Sequence, residues 1–429
     1  MLPAELIVLL AGRRIGVVRR AAGDRLSFVY DDAWRDANDA YPLSLSLPLL
    51  EREHGDAPVR AYLEGLLPDR AEVRESWARR FKVSSKNAYG LLVHVGEDCP
   101  GAVQFVTQES ESTAAEAPRK WLSDAEVAER LRNTIQVYST GAVVRNEGYF
   151  SLAGAQPKIV LYREGSRWAS PAGAFASTHL LKPPAQGLNQ FAANEHICML
   201  LADELGLQVA KSEVLDFEGE AAIVVERFDR ESLGARGVAR IHQEDFCQAL
   251  GVRPATKYEH EGGPGAVACA RLLVEHSVDP DADLGAFVDA MALNWVILGT
   301  DAHAKNFAFL YRGPRPSLAP LYDIISILPY PEVEYPGKAK LAMRIGPEYR
   351  AAYVRGRHWT RFAQDLGVDE SSVLQRVEAL VGEIPEALDR VRERAAGSGV
   401  DETFADQLLR MISDQVPRRL GALEQADVR

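Results

Sequence analysis

Cysteine is scarce in this sequence, and no two cysteines are spaced to bind a metal together. The four cysteines, at positions 99, 198, 247 and 269 of 429 residues, form no Cys-x-x-Cys pair and lie among apolar residues. This spacing argues against a disulfide framework and against a structural zinc site. We therefore expect four reduced thiols in the core.

The chain also lacks a long apolar run. Its most apolar helical stretch, near Leu284–Leu298, is interrupted by Asp289 and Asn294, and no leading apolar segment with a basic flank is present. A membrane-spanning helix needs about 20 mainly apolar residues, and a secretory signal needs such a leading segment. We expect a soluble, cytoplasmic protein without a membrane partner.

Positive charge is in the minority. The chain has 49 Lys and Arg against 61 Asp and Glu, which gives a formal net charge of −12. Broad adhesion to nucleic acid depends on the opposite balance, so any DNA contact is expected to be local. Basic doublets such as Arg13-Arg14 and Arg418-Arg419 are typical of a solvated surface.

Glycine-rich phosphate motifs are missing as well. The segment Ser151–Lys158 (SLAGAQPK) has one glycine and matches neither G-x-G-x-x-G nor G-x-x-x-x-G-K-[ST]. The small residues Ala153, Gly154 and Ala155 would let backbone amides approach a phosphate, and Lys158 would add positive charge. From the residues alone, a turn before a hairpin is the favoured interpretation.

The most informative feature that is present is the segment Leu298–Phe307 (LGTDAHAKNF), followed by Leu321–Ser326 (LYDIIS). Asp301 precedes Asn306 by five positions, and Asp323 follows seventeen positions later. Kinases space a catalytic base and two metal ligands in this way. We predict Asp301 as the base and Asn306 and Asp323 as ligands of Mg²⁺, which would hold ATP. Alternatively, Asp301 and Asn306 are loop residues whose side chains accept hydrogen bonds from backbone amides.

Several other residues would complete such a site. His303 and Lys305 would place a cation near the γ-phosphate, or else they are exposed loop residues. Lys182 would contact the α- and β-phosphates, and Glu195 on the next helix would fix that lysine; a solvated helix face is the alternative for Glu195. The backbone from Glu226 to Phe228 would bind adenine, or it simply ends a strand.

Hydrophobic periodicity divides the chain into three segments. Residues 1–108 predict a small β meander followed by helices, and residues 120–228 predict a β-rich lobe with one long helix, Phe191–Leu205. Residues 229–429 predict a helical lobe that carries the catalytic loops. The polar stretch Gln108–Lys120 predicts a linker. The fold class is therefore α+β, with a bilobal outline.

Two details of the third segment bear on the site. A long helix from Leu284 to Gly299, ended by that glycine, is predicted before the Asp301 loop. The motif Gly262–Gly265 (GGPG) predicts only the start of another helix.

Taken together, these residues resemble the HipA family of serine/threonine kinases, the toxins of HipBA toxin-antitoxin pairs. The resemblance extends over nearly the whole chain. In chain order the matching segments are Pro42–Pro48, Leu66–Asp69, Ser151–Gln156, Val225–Arg230, Gln243–Asp245, Lys257–Glu259, Gly262–Gly265, Thr300–Asn306, Tyr322–Ser326 and Lys340–Met343.

The resemblance implies more than the spacing does. It implies a bilobal phosphatidylinositol-3/4-kinase-like fold with an extra amino-terminal β-rich subdomain and an all-helical carboxyl-terminal lobe. It also implies that the protein uses ATP and Mg²⁺ to phosphorylate an aminoacyl-tRNA synthetase of the glutamate-tRNA ligase type, which halts translation and induces dormancy. A small helix-turn-helix antitoxin similar to HipB is the implied partner, and it would anchor the kinase at operator DNA.

The resemblance also revises the interpretation of the Ser151 loop. Ser151 corresponds to a serine that is autophosphorylated, which ejects the loop and prevents ATP binding, because the added phosphate competes with those of ATP. The loop is then a phosphate-covering element. Pro157 stands where the best-known members carry a charged residue, and a proline removes a backbone donor. We expect that departure to alter nucleotide affinity or loop ejection.

Three rival functions remain open at this stage. A kinase-fold co-repressor would bridge antitoxin dimers on operator DNA with little catalysis, although an intact set of Asp301, Asn306, Asp323 and Lys182 argues against it. A small-molecule kinase of the aminoglycoside type would use the same aspartates. A metal-dependent phosphohydrolase is less favoured, because the other His and Asp residues show no ligand-like clustering.

Overall fold

The structure, a computed structural model, describes residues 2–108, 120–140, 154, 156–171, 176–184, 188–234, 237–332 and 334–424. The chain divides into two compact units, and each unit collects stretches that are far apart in sequence. Unit 1 comprises Met1–Ala185, Asp216–Ala255 and Ala308–Pro316, and unit 2 comprises Gln186–Leu215, Thr256–Phe307 and Ser317–Arg429. The three-segment division stays a prediction.

Unit 1 begins with a five-stranded antiparallel sheet. Its strands are β1 (Glu5–Leu10), β2 (Arg13–Arg20), β3 (Leu26–Tyr30), β4 (Glu53–His54) and β5 (Val103–Val106), in the order β4-β3-β2-β1-β5. Apolar runs separated by tight turns produce the first three strands, and Ala11 and Gly12 turn the chain with φ angles of 50° and 78°. The predicted meander is confirmed. The apolar segment Ala102–Val106 also predicts a strand, which is confirmed as β5.

Four helices pack on this sheet and on one another. They are α1 (Asp32–Arg35), α2 (Asp56–Gly65), α3 (Ala71–Phe81) and α4 (Ala88–Val95). The sequence predicts helices at Ala71–Phe81 and Ala88–Val95, because apolar residues recur there at helical spacing, and both predictions are correct. The helices and the sheet bury a shared apolar core that includes Leu6, Phe28, Tyr62 and Leu92.

A second sheet contains the strands of segment 120–228. These strands are β6 (Lys120–Leu122), β7 (Ile159–Glu164), β8 (Arg167–Ser170), β9 (His179–Lys182), β10 (Ser212–Phe217) and β11 (Glu220–Glu226). Within unit 1 the order is β11-β9-β7-β8-β6, with antiparallel neighbours. The sequence predicts strands here, and they are confirmed as β7 to β11; the predicted ranges are Lys158–Tyr162, Arg167–Ala169, Thr178–Lys182, Ser212–Phe217 and Ala221–Glu226.

Helix α5 (Asp124–Thr140) contacts the second sheet. A capping box starts it, because the Ser123 hydroxyl accepts the Glu126 N–H at 3.3 Å while the Glu126 carboxylate accepts the Ser123 N–H at 3.0 Å. The sequence predicts this capping box. Most of the linker predicted at 108–120 lies outside the described residues.

Two short strand pairs and one short helix complete unit 1. The pairs are β12 (Arg230–Ser232) with β13 (Val238–Arg240) and β14 (His242–Asp245) with β15 (Ala308–Tyr311), and the helix is α7 (Phe246–Ala249). The expectation that the chain is all-helical after residue 229 is therefore wrong. An apolar run of four residues, such as β15, is too short for a stable helix but fits a buried strand.

A buried ionic cluster connects the first part of unit 1 to β11–β13. We call Asp98, Arg227, Asp229, Arg230 and Arg240 the Asp98 cluster, and each of these side chains is at most 9% exposed. Asp98 Oδ1 accepts from Arg230 at 2.9 Å and from Arg240 at 3.3 Å, while Arg227 and Asp229 pair at 2.8 Å. Burial opposes the charge on Asp98, but the three arginines outweigh it and hold its pKa below the ordinary range.

Glu244 forms a second buried connection within unit 1. Its carboxylate accepts hydrogen bonds from the Ser44 hydroxyl at 2.5 Å, the Leu45 N–H at 3.0 Å and the Tyr311 hydroxyl at 2.5 Å. Burial raises the pKa of Glu244 to about 7, although the hydrogen bonds from Ser44 and Tyr311 oppose the shift. Polar side chains, and not only apolar packing, therefore join the sequence before residue 108 to the rest of unit 1.

Unit 2 is mainly helical. Its helices are α6 (Phe191–Glu204), α8 (Ala266–His276), α9 (Pro280–Ile297), α10 (Gly356–Leu366), α11 (Glu370–Ala395), α12 (Glu402–Ser413) and α13 (Val416–Glu424). Its strands are β16 (Ser317–Leu318) and the antiparallel pair β17 (Lys340–Ile345) and β18 (Glu348–Arg350). The long α11 contacts α6, α9, α10, α12 and α13, so it is the central helix of the unit.

The cysteines and the apolar helices are the two compositional features that the structure shows directly. All four cysteines are buried and unpaired with one another, as predicted. Among the described residues, no helix combines the length and the apolar character that crossing a membrane requires.

Candidate active site

The site in unit 2 begins where α9 ends. The helix stops at Ile297, and Leu298 takes a left-handed conformation with φ 53°. The sequence prediction that the helix ends at Gly299 is therefore wrong by two positions, although glycine is required next to the turn. A Cβ on Gly299 would overlap the Asn294 side chain, whose amide lies against that backbone. This close approach directs the chain into the loop that carries Asp301.

The loop after Gly299 is a compact turn. The His303 N–H donates to the Asp301 carbonyl at 2.8 Å, and the Asn306 N–H donates to the His303 carbonyl at 2.8 Å. A single 3₁₀ turn, Ala304–Asn306, follows. These local hydrogen bonds fix the conformation of the loop between Asp301 and Asn306.

Asn306 and Asp323 line one pocket of unit 2, together with Ala302, Phe307 and Tyr322. The Tyr322 hydroxyl donates to the Lys305 carbonyl at 2.8 Å, which ties the second segment to the first. The structure therefore brings the two predicted metal ligands to the same place. Their roles as ligands stay a prediction.

The segment that carries Asp323 is anchored from two sides. The Asn194 side chain of α6 makes two hydrogen bonds to the Ser326 backbone, at 2.8 and 3.1 Å. The Ser326 hydroxyl donates to the Ile297 carbonyl at the end of α9, at 2.6 Å. Asp323 itself has a φ of 60°, a conformation that Asp and Asn adopt more readily than bulkier residues.

Asp301 is the more accessible member of the set, with a side chain that is 57% exposed. Its Oδ1 accepts a hydrogen bond from the Tyr258 hydroxyl at 2.6 Å, and the same oxygen lies 3.9 Å from His303 Nε2. An accessible carboxylate suits a base that must meet the hydroxyl of a second molecule.

His303 is buried, with only 4% of its surface exposed. Burial, together with the positive charges of Lys257 and Lys305, lowers its pKa to about 3, and the opposing effect of Asp323 is smaller. The ring is therefore neutral near pH 7, so the expectation of a cationic His303 does not agree with the structure. The alternative of an exposed loop residue is also wrong for His303.

Lys305 is buried as well, at 7% exposure, so the exposed-loop alternative fails for it too. Its positive charge is one of the causes of the lowered pKa of His303. Of the two residues predicted to place a cation on the Asp301 loop, only Lys305 therefore remains a candidate. Contact between Lys305 and a phosphate stays a prediction.

Unit 1 contains the predicted nucleotide-binding residues, of which Ser151, Ala153 and Ala155 lie outside the described residues. Gly154 has a φ of 104°, and a Cβ there would lie 2.6 Å from Lys158 Nζ. The positive φ favours glycine at this position, and the Lys158 ammonium lies close to its backbone. The Gly154 carbonyl accepts the Asp69 N–H at 3.0 Å, which fixes the position of the residue.

Lys182 and the Glu226–Phe228 backbone occupy neighbouring strands of unit 1. Lys182, at 6% exposure, ends β9 opposite Ile223 of β11. Glu226 ends β11 opposite His179, and the next residue, Arg227, donates its N–H to the Thr178 carbonyl at 2.9 Å. Glu226 is exposed and Phe228 half-buried.

Glu195 lies in α6 of unit 2 and is fully buried, at 0% exposure. The alternative interpretation of a solvated helix face is therefore wrong. A buried carboxylate inside a helix is costly unless it is paired or hydrogen-bonded, so its burial calls for a specific role. The predicted role, fixing the phosphate-binding lysine, stays a prediction.

The donor set of the pocket fits Mg²⁺. Asn306 and Asp323 offer an amide and a carboxylate oxygen, which are hard donors of the kind that Mg²⁺ prefers. Among the described residues, no group of three or more His, Cys, Asp or Glu is placed to hold a metal ion. In kinase sites Mg²⁺ is held by one or two protein groups, by water and by the phosphates of the nucleotide.

Sequence reasoning missed two of the contacts that build the site. Tyr258 precedes Asp301 by 43 positions, and Asn194 precedes Ser326 by 132. The segment Lys257–Glu259 stood out as a motif, but it contained no signal for its target. Such long-range partners follow from packing, which spacing along the chain does not reveal.

Two family models match the chain, the HipA N-terminal domain over residues 6–106 and the HipA-like C-terminal domain over residues 150–388. The second match alone spans more than half of the 429 residues. The chain belongs to the HipA family. The resemblance inferred from the sequence is thereby confirmed, and all the described candidate site residues lie within the C-terminal match.

Relatives in the HipA family match over most of their length. "Putative kinase Y4mE" of Sinorhizobium fredii is 36% identical over 403 residues, which are 92% of this chain and 95% of the relative. "Serine/threonine-protein kinase toxin HipA" of Shewanella oneidensis is 27% identical over 386 residues, 86% of this chain and 85% of the relative.

A solved structure also matches over nearly the whole chain. It is the complex of HipA, HipB and operator DNA from Shewanella oneidensis, with a TM-score of 0.84, 26% identity and 97% coverage of both chains. The mixed architecture of helices and several sheets is thus that of a HipA protein.

Proposed function

We propose that this chain is an ATP- and Mg²⁺-dependent serine/threonine-protein kinase and the toxin of a toxin-antitoxin pair. The observation that supports the proposal most directly is the pocket of unit 2 that Asn306 and Asp323 share, with an accessible Asp301 on the same loop as Asn306. Family membership adds to it, since relatives are named as kinases.

In this reaction the Asp301 carboxylate accepts the proton of a serine or threonine hydroxyl as that oxygen bonds to the γ-phosphorus. The bond from the γ-phosphorus to the bridging oxygen of ADP breaks, and ADP leaves. Asn306 and Asp323 would hold Mg²⁺, which neutralises phosphate charge when bound. Lys305, on the same loop as Asp301, would add positive charge near the phosphate that is transferred.

The nucleotide would be held by residues of unit 1. Lys182 is proposed to contact its phosphates with the help of Glu195, and the Glu226–Phe228 backbone is proposed to bind adenine. Gly154 and Lys158 would approach the phosphates. Lys158 has an ammonium close to a glycine backbone, which is a favourable arrangement for an anion.

The substrate and partners are proposed from the family. An aminoacyl-tRNA synthetase of the glutamate-tRNA ligase type is the proposed substrate, and a HipB-like antitoxin, in the cytoplasm, is the proposed partner. The similar Shewanella oneidensis structure contains HipA, HipB and operator DNA, so contact with DNA would come mainly through the antitoxin, in keeping with a net charge of −12. Phosphorylation of Ser151 is proposed to switch the enzyme off.

A kinase-fold co-repressor with little catalysis is the second candidate. The observation that favours it is the same similarity to a DNA-bound complex. The two candidates differ in whether phosphate is transferred at all.

Asp301→Asn tests the proposed function. With radiolabelled MgATP, phosphate transfer to the chain itself and to added glutamate-tRNA ligase is expected to fall about 10²- to 10⁴-fold, the usual contribution of a general base. ATP binding and the thermal unfolding midpoint are expected to persist, since the side chain is 57% exposed. Asp281→Asn, an exposed aspartate in the first turn of α9, is the matched control.

Three outcomes decide between the candidates. Retained transfer by Asp301→Asn would remove this residue from the role of base. No transfer by the wild-type chain to itself or to any synthetase would favour the co-repressor. Phosphorylation of a soluble metabolite, with every protein left unlabelled, would favour a small-molecule kinase.

A further inference from the structure

The segment from Lys257 to Gly265 is folded on itself in unit 2. The Tyr258 carbonyl accepts two backbone N–H groups, from Glu261 at 3.1 Å and from Gly263 at 2.9 Å. A Cβ on Gly263 would overlap the Thr256 carbonyl, so the backbone passes too close for any other residue. This tight turn restricts the backbone at Tyr258 and, with it, the direction of the Tyr258 side chain.

Glu259 anchors the turn to the rest of the unit. Its carboxylate accepts the Arg344 N–H at 2.8 Å and the Arg344 Nε–H at 2.9 Å, which ties it to β17. The same carboxylate lies against Gly265, where a Cβ would overlap it. The GGPG motif therefore does more than start α8, because Gly265 also leaves room for the Glu259 carboxylate.

Tyr258 is the side chain that the anchored turn presents. Its hydroxyl donates to Asp301 Oδ1 at 2.6 Å, and its ring meets the His303 ring edge to face with centroids 5.0 Å apart. Lys257 adds its ammonium 5.2 Å from the Tyr258 ring centroid. A short hydrogen bond to a carboxylate is among the stronger hydrogen bonds in proteins. The bond from Tyr258 therefore restricts the Asp301 side chain, which is 57% exposed.

We propose that Tyr258 is a positioning residue for phosphoryl transfer, which holds the Asp301 carboxylate in the orientation that accepts the substrate proton. The inference rests on the proposed kinase function and adds a residue to it. Tyr258 acts through Asp301, and Glu259 acts through Tyr258. Loss of the hydroxyl should therefore slow the chemical step and leave nucleotide binding unchanged, because the contact is to the base and not to a predicted ligand of Mg²⁺.

Tyr258→Phe tests this inference, since it removes the hydroxyl and keeps the ring packed on His303. After phosphatase treatment, phosphate incorporation into the chain is followed against MgATP concentration. The maximal rate is expected to fall about 10- to 100-fold, as for loss of a hydrogen bond to a charged group. The half-saturating MgATP concentration is expected to stay within about twofold of the wild-type value, and the thermal unfolding midpoint within about 2 °C, which are roughly the limits for a surface substitution. Tyr335→Phe, at a tyrosine 66% exposed, is the control.

A second variant follows the anchor. Glu259→Gln weakens the contact with Arg344 and should also slow phosphate transfer. The double variant should be no slower than Tyr258→Phe alone, because both substitutions act through the same hydrogen bond from Tyr258 to Asp301. A maximal rate for Tyr258→Phe within twofold of wild type, or above it, overturns the inference, and so do additive losses in the double variant. An inactive wild-type chain would instead refute the proposed kinase function on which the inference depends.

Discussion

Asp98→Asn should destabilise unit 1 strongly, because it removes one of two negative charges from a cluster that also contains three buried arginines. The Asp98 side chain is 0% exposed, and its carboxylate accepts from Arg230, Arg240 and the Ser177 hydroxyl. Removing one partner of a buried ion pair costs about 3–5 kcal/mol, because the remaining charge stays out of water. We expect a loss in that range.

Hydrogen exchange measured by mass spectrometry suits this prediction, because a chain with two units need not unfold in one step. Peptides covering β5 and β11 should lose protection by about 100-fold or more, which corresponds to about 3 kcal/mol at 1.4 kcal/mol per factor of ten. Peptides from α11 in unit 2 should exchange as in the wild-type chain. Glu5→Gln is the matched control, since Glu5 and Arg19 form an exposed pair, and such pairs contribute about 0–1 kcal/mol.

The pH dependence of the cluster gives an independent check. The pKa of Asp98 is held below its ordinary value of 3.8 by the arginines despite burial. A lowered pKa means that the stabilisation is present above pH 3.8 and is lost as the pH falls through the lower, folded-state value. Wild-type protection of β5 should thus collapse on acidification, and Asp98→Asn should lack that step. Wild-type protection in Asp98→Asn at pH 7 would show that the negative charge is not needed there, and would refute the reasoning.

Two further predictions concern Glu244 and Asp323. Glu244→Gln should remove a pH-dependent step from the hydrogen-exchange protection of β14. Burial raises the pKa of Glu244 from 4.5 to about 7. The stabilisation by its protonated form, roughly 3 kcal/mol, is therefore present below pH 4.5 and lost as the pH rises to 7. A step retained in the variant would contradict this assignment. Asp323→Asn should lower the Mg²⁺-dependent affinity for ATP about 10- to 100-fold in calorimetry, since asparagine keeps the φ of 60° but not the charge, and unchanged affinity would exclude Asp323 as a ligand.

Much of the secondary structure could be read from local sequence patterns. The helices α3 and α4 begin and end where their apolar spacing predicts, and the capping box of α5 is present. These features depend on interactions within a few residues, which the sequence contains directly. The end of α9 was misplaced by two positions, because the left-handed conformation of Leu298 is one that leucine rarely adopts.

The candidate site divides in the same way. Asp301 and Asn306 are five positions apart and belong to one compact turn, which short-range hydrogen bonds maintain. Spacing along the chain was therefore informative. The protonation of His303 was not predictable, because it depends on burial and on the nearby charges of Lys257 and Lys305. The turn anchored by Glu259 also depends on a distant residue, Arg344.

The sequence by itself determined the residue types of the site, their order, the local helices and strands that present them, and the family to which the chain belongs. Tertiary structure alone decided that Asn306 and Asp323 share a pocket, that Glu195 is buried, and that Tyr258 bonds to Asp301. The physical reason is the range of the interactions. Helix periodicity and caps act over three or four residues, whereas burial and long-range hydrogen bonds arise only when separate segments pack together.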